Sequence, residues 1–573
     1  MRPPLTVRSI GVSRLVLGFA LLCSQGTASA VDPVEDLVRL LQSRPEFRDE
    51  QRRTAFQKKL TERVEAIQRP GDLRRALSLC EFPVEFDMQP PNTPEKRNPI
   101  DSIYRGVRTD LTNRLQALLR KRLRDADLTR RMAAIAFLVE TAHEESVRRL
   151  GPAREMAPPS SFALSMTRDL QQLLTKKDED PRVRAAALAA IATIDPASEK
   201  TLLAVQILIR PECEVVERRA AAKALGRLIQ SLSSSRPPQR GDSQRIEESL
   251  AAIVSAAGWG LRDKKDAVVR RLCLDSIRHA LERHRGENIS LRVIAKVNEE
   301  APIVVALLED DILEVRLSAY QVLEKTATIR RMQIVNAMLP TEAQPATKKG
   351  GPSAPGRRTE RFSNAPPPPA APVLDKILSA MPNLVHGLSD KEVRVRLAAI
   401  YVLESLGPEA APAVEGVART LKVDKNGFVR WGAARVFLNM APLEAEKAVP
   451  ALAEALSDAN KTVRLTAAQA LVRFGSQAKE AVKALSEAVG DEESNVRITA
   501  LNALKAIGLP ARPAIGVLVS ALADKKSEVR AGAAKALAHL GPLDEKTRKE
   551  LAKLLEDADA EVRLAASEAL LDN

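Results

Sequence analysis

The C-terminal third of the chain repeats one pattern of apolar and polar positions six times. Val-Arg dipeptides end at Arg396, Arg430, Arg464, Arg497, Arg530 and Arg563, in steps of 33 or 34 residues. Counted from each Arg, apolar residues recur at positions +3, +6, +7 and +10, as in Ala399, Val402, Leu403 and Leu406. That spacing lays one stripe along a helix. Position +3 is always alanine (Ala399, Ala433, Ala467, Ala500, Ala533 and Ala566), small enough to let a second helix lie close. Position +7 is Leu403, Phe437, Leu471, Leu504, Leu537 or Leu570. Six residues before each Arg stands an acid: Asp390, Asp424, Asp458, Asp491, Asp524 or Asp557. Gly407, Gly475, Gly508 and Gly541 mark helix ends, and Pro408 and Pro542 follow directly on two of them. A further apolar run precedes each Asp, for example 449–456.

Each unit therefore reads as helix A, a short turn carrying Asp, and helix B. One such pair cannot bury its own stripe, whereas stacked pairs can. The turn Asp, the Val-Arg and the Ala-rich second helix resemble the HEAT-repeat superfamily, in particular the short HEAT-like repeats of phycobilin lyases. Tetratricopeptide and ankyrin units have similar periods, but their signature residues are absent. The resemblance implies an all-α fold, an α-solenoid (superhelix) of stacked helix-turn-helix repeats. It also implies that the Asp and Arg columns form a hydrogen-bonded ladder between turns and neighbouring helices. The carboxylates would in addition accept backbone N–H groups at the start of helix B. Since every unit carries the same pair, the columns read as structure rather than chemistry.

Five weaker units extend the pattern upstream, for eleven in all. They are headed by Asp125 and Arg131, Asp178 and Arg184, Glu212 and Arg218, Val269-Arg270, and Asp310 with Arg316. Residues 31–100 read as an N-terminal helical cap, with one or two helices in 34–80, followed by a Pro-rich loop. Residues 101–339 carry the degenerate repeats and 373–573 the regular array. Between them, 340–372 contains Pro366–Pro369 and no helical period. It predicts an extended linker joining two rod-like pieces.

Residues 1–30 read as a secretory signal. Arg2, Arg8 and Arg14 precede an apolar run over 15–23, and Ala28-Ser29-Ala30 forms a cleavage site. The run is too short to span a bilayer, and no other segment reaches that length. Export to the periplasm, the cell envelope or the medium is the expectation, with Val31 as the first mature residue. Lipidation at Cys23 is the less favoured use of this segment, because Leu22 stands where a small residue should precede it. The mature chain keeps Cys80, Cys213 and Cys273, which read as free and buried.

Aromatic residues make up 3% of the chain, too few for a sugar-binding or base-stacking platform. The net charge of +14 is uneven. Residues 373–573 hold 27 basic and 27 acidic side chains, whereas 31–339 carry +8. An acidic protein partner is therefore the expectation. The basic run 120–124 lies on an amphipathic helix and reads as a solvated face.

No catalytic, cofactor or metal constellation emerges. His143-Glu144 is a single pair, where the iron-holding HEAT-like hydroxylases have several. Gly258-Trp259-Gly260 lacks the third Gly and the preceding strand of a nucleotide loop, and Ser476–Lys479 lacks its partner motifs. What varies between units is more informative. Position +5 is Tyr401, Arg435, Gln469, Asn502, Lys535 or Glu568. Position +9 is Ser405, Asn439, Arg473, Ala506, His539 or Asp572. Changing polar residues on a fixed frame suit either a recognition surface or a solvent-exposed face free to drift. As a recognition surface, Tyr401, Arg435, Gln469, Arg473, Asn502 and Lys535 are the candidate contacts, with Arg435 and Arg473 as anchors.

These features predict an exported protein-binding scaffold without catalytic activity. Two rivals stand beside it. One is a lyase or other enzyme acting on a protein-bound group. The other is a nucleic-acid-binding HEAT-like protein, which export and the neutral C-terminal array disfavour.

Overall fold

The computed structural model describes residues 32–42, 50–79, 99–149, 161–233 apart from 177 and 197, 242–282, 290–338 and 375–571. The signal-like residues 1–30, Cys80, the whole of the Pro-rich 340–372 and Asp572 lie outside them, as do the side chains of His143 and Glu144. Among the described residues there is no strand, and no helix is long and apolar enough to cross a membrane.

Two compact units make up the chain: residues 1–141 with 161–169, and residues 142–160 with 170–573. The first holds α1 (Pro33–Gln42), α2 (Glu50–Ala66), α3 (Pro70–Leu79) and α4 (Pro99–Leu123). Three helices thus occupy 33–79, where one or two were expected. Pro70, fixed at a helical φ, opens the third one directly after the break at 67–69. Leu111, Leu115, Leu119 and Leu123 of α4 are buried, while Arg120 pairs with Asp169 at 3.0 Å. The division between the units falls within α5 (Leu128–Arg149) and α6 (Ser161–Thr175).

The second unit alternates two helix layers. Its first repeats use α7 (Pro181–Ile194), α8 (Glu199–Leu208), α9 (Val215–Ser233), α10 (Asp242–Leu261), α11 (Ala267–Glu282), α12 (Leu291–Ala306) and α13 (Leu313–Met338). The array continues with α14 (Met381–Gly387), α15 (Val393–Leu406), α16 (Val414–Val423), α17 (Gly427–Met440), α18 (Ala445–Ala455) and α19 (Lys461–Phe474). It runs on through α20 (Val482–Ala488), α21 (Ser494–Ile507), α22 (Ile515–Ala521), α23 (Ser527–Ala538), α24 (Glu545–Lys553) and α25 (Ala560–Leu571). Odd-numbered helices from α7 pack on one another as the B layer, and even-numbered helices cover them as the A layer. The fold is all-α, and this unit is an α-solenoid. The alanine column lies between stacked B helices with no exposure. Gly407, Gly475, Gly508 and Gly541 leave the B helices at φ of 59, 55, 74 and 79°, a region L side chains avoid. Short 3-10 segments, such as Gly407–Ala413 and Gly475–Ala481, start the A side of four units.

The expected division at 340–372 is not seen in the packing. α13 lies directly against α15. Arg330 holds Glu409 through two hydrogen bonds of 2.7 and 2.6 Å, and Asn383 donates to Glu309 at 2.8 Å. One core runs from Leu188 to Ala569 across the segment. The Pro-rich stretch interrupts the sequence period but not the stack, because the stripes of α13 and α15 cover each other whatever lies between them in the chain.

Candidate functional site: two faces of the solenoid

The Asp and Arg columns form rungs between successive repeats. The Arg396 guanidinium donates to Asp424 at 2.6 and 3.1 Å and to its own turn's Asp390 carbonyl at 2.9 Å. Asp424 in turn accepts the Asn426 N–H at 2.8 Å, which anchors the start of α17. The same arrangement joins Arg430 to Asp458, Arg464 to Asp491, Arg497 to Asp524 and Arg530 to Asp557. Arg563 donates to the carbonyls of Asp557 and Ala558. Further back, Arg316 pairs with Asp390 at 3.5 Å and Arg270 with Asp310 at 2.7 Å.

Two upstream rungs use other acids than the expected ones. Arg184 holds Glu217 at 2.6 Å, and Glu217 accepts the Glu214 N–H, while Glu212 stays exposed. The longer Glu side chain reaches back from the first turn of α9 to the place a turn Asp fills elsewhere. Arg218 pairs with Asp263, both buried, in a turn whose sequence shows no acid at the column position. Asp263 sits seven residues before Arg270 instead of six, which hides it from the column.

The rungs set the protonation of their members. Burial alone would raise the Asp458 carboxyl, but the Arg430 guanidinium and the Asn460 N–H outweigh it and hold it below the usual range. Asp524 is lowered in the same way, its burial overcome by the Lys526 N–H and Arg497. Asp557 is lowered by Arg530 and the Asp559 N–H. Burial raises the Cys273 thiol, and Cys213 is half-buried; both are free. Among the described residues no cluster of His, Cys, Asp and Glu could hold a metal ion.

The variable positions lie on the outer face of the B layer, but they are not equally free. Tyr401, Gln469, Asn502 and Arg473 are exposed. Arg435 instead bonds Glu404 of the preceding repeat and stacks over Trp431, 4.8 Å from its ring centroid. Asn439 donates to the same Glu404 carboxylate at 3.3 Å, and Lys535 pairs with Glu561 at 2.8 Å. Phe428, 68% exposed, extends this face from a position outside the repeat columns. It stands two residues before Arg430, seven before Arg435, and so on the same side of α17. Tyr401, 38% exposed, lies on adjacent α15, so the B face presents two exposed aromatic rings, Tyr401 and Phe428, while Trp431 is partly buried against the core beside Arg435.

Models of HEAT repeats match residues 380–410, 449–515 and 511–571. Among curated proteins none matches the sequence. Solved structures are similar at low identity. A crystal structure of an engineered protein is 21% identical, covers 80% of this chain and 98% of that one, and gives a TM-score of 0.41. A designed armadillo repeat protein in complex with the peptide (KR)4 is 22% identical, covers 34% of this chain and 98% of that one, and gives 0.29. The structure of Kap95p with RanGDP is 13% identical, covers 94% of this chain and 66% of that one, and gives 0.39.

Proposed function

The chain is a HEAT-repeat protein, and on that premise we propose that it is a non-catalytic scaffold that binds a protein partner on its B-helix face. The observation that carries this reading is the pair of exposed rings, Tyr401 and Phe428, on the same face of adjacent B helices. Large aromatic side chains are few in this chain, and a solvent-exposed ring such as Phe428 gains by being covered. Arg435 is then a rigid support that fixes Trp431, and the freely exposed contacts are Tyr401, Phe428, Gln469, Arg473 and Asn502. The signal-like 1–30 supports a place in the envelope or outside the cell, where the +8 of residues 31–339 favours acidic surfaces.

Cross-linking in an envelope fraction tests the site. The full-length chain should join a defined protein that the Tyr401→Ser/Phe428→Ser variant, with an unchanged melting curve, no longer captures. Identical cross-links from both, or turnover of a small molecule by the intact chain, would defeat the reading. Export is tested separately: the mature protein should begin at Val31, and an intact Met1 would sink that part.

A further inference from the structure

Gly258-Trp259-Gly260 has no part in the B face. It lies near the end of α10, in the A layer, and both glycines are sites of close approach. A Cβ on Gly258 would collide with the Glu300 carboxylate of α12. One on Gly260 would collide with the Cys273 Sγ of α11 and crowd Ile209. With its neighbours pinned inward, Trp259 turns out to solvent and is 48% exposed.

The surface around it is apolar on one side and carries Arg210 and Arg262 on the other, with Glu212 and Glu214 exposed just after Arg210 in the chain. On α8, Leu203 and Ile207 stand four apart on one outward stripe, 58% and 47% exposed. Arg210 ends that stripe, with its guanidinium 5.9 Å from the Trp259 ring centroid. Arg262 lies at the same distance from the ring, donates to the Gly258 carbonyl and pairs with Glu300 at 2.8 Å. Its charge is thereby answered within the fold. Arg210 meets no carboxylate at ion-pair distance among the described residues. Lys264 and Lys265, exposed in the turn after α10, add to the positive edge.

We propose that this patch is a second docking site, on the face opposite the aromatic B-layer patch, and that it takes an acidic peptide segment of a protein partner carrying bulky aliphatic side chains. The aliphatic groups cover Leu203 and Ile207, and a carboxylate reaches Arg210 beside the indole edge. A nucleic-acid base fits less well, because the exposed indole already carries two guanidinium groups where a base would stack. An anionic bilayer would be pressed against Glu199 and Glu212, both exposed on the same stretch of chain. The site is independent of the B-face reading, since it uses other helices and the other layer.

The chain has two tryptophans, so Trp431→Phe leaves Trp259 as the sole indole reporter in the full-length protein. The probe is a synthetic amphipathic peptide of Glu and Leu, added at low salt. Trp259 emission should move to the blue and saturate, and a Lys and Leu peptide of the same length should leave it unchanged. Arg210→Glu should weaken binding about tenfold or more, as should raising the salt until screening acts within a few ångströms. Leu203→Ser/Ile207→Ser should weaken it too; both residues are exposed, so the melting curve should hold. The proposal falls if the Glu and Leu peptide causes no shift, or if Arg210→Glu binds it equally well. It falls also if single-stranded oligonucleotide or anionic phospholipid vesicles shift the emission and the peptide does not.

Discussion

Arg330 and Glu409 are 79 residues apart in the chain, yet the guanidinium of one grips both carboxylate oxygens of the other at 2.6 and 2.7 Å. Arg331 adds a bond to the Glu404 carbonyl at 3.3 Å. These contacts, with α13 against α15, close the stack over the Pro-rich segment.

Cleavage anywhere in 340–372 should therefore leave two fragments that stay together. Limited proteolysis followed by gel filtration under native conditions should give one peak holding both pieces, separable in denaturant. Fragments that elute apart without denaturant would show that the stack is in fact divided there.

Rungs should differ in cost according to what remains for the arginine. Asp458 accepts two bonds from Arg430, at 2.6 and 2.8 Å, and Asp458→Ala leaves that guanidinium half-buried with a carbonyl alone. A loss of about 3 kcal/mol is expected. Arg464 also bonds Glu492 at 2.9 Å, so Asp491→Ala should cost less, about 1–2 kcal/mol. Denaturant melts of the two variants check the order. Equal losses would mean that Glu492 gives no support, and an unchanged melt with lost binding would make the columns functional.

Acid should loosen the array through its carboxylates. Asp458, Asp524 and Asp557 are all held below their ordinary pKa. A depressed folded value contributes stability above the unfolded pKa, near 4, and that contribution is lost as pH falls through the folded value. The melting temperature should hold from neutrality down to about pH 5 and then drop steeply below 4. A drop centred near pH 6 would point to other groups.

The joint at α14 should be intolerant of added bulk. Gly387 lies against the buried Tyr320 of α13, and a Cβ there would collide with the hydroxyl. Gly387→Ala should lose about 1–3 kcal/mol, and adding Tyr320→Phe should restore part of it, since the colliding oxygen is then gone. Calorimetry of the single and double variants reads this directly. A double variant worse than the sum of both singles would refute the collision.

The repeat columns made the layers, the alanine contacts and the glycine exits legible from sequence, because each rests on spacing within one unit. The partner of each arginine was not legible. Arg430 stands six residues after Asp424, but its side chain takes only that residue's carbonyl and gives its charge to Asp458, 28 residues on. Nor could a period reveal Arg316 facing Asp390, 74 residues away. Glu217 escaped because a longer acid can do the work of Asp from another position. Phe428 is not marked by the period, because its counterparts two residues before the other arginines (Arg394, Thr462, Asn495, Glu528 and Glu561) are polar, although all stand on the same helix face.

Because each rung gives the charge of one unit's arginine to the carboxylate of the next unit and keeps only a carbonyl bond within its own turn, the array has the grammar of a chain of hooks and eyes. Copying a stretch of 33 or 34 residues inserts one hook and one eye, and creates one junction, between the unit and its own copy, that the array does not already hold. An insertion of any other length inside helix B would leave a hook with nothing to catch. The molecule can thus be lengthened between α15 and α25 by duplicating any unit that packs on its own copy as it packs on its neighbours, and its reach changes with the number of units.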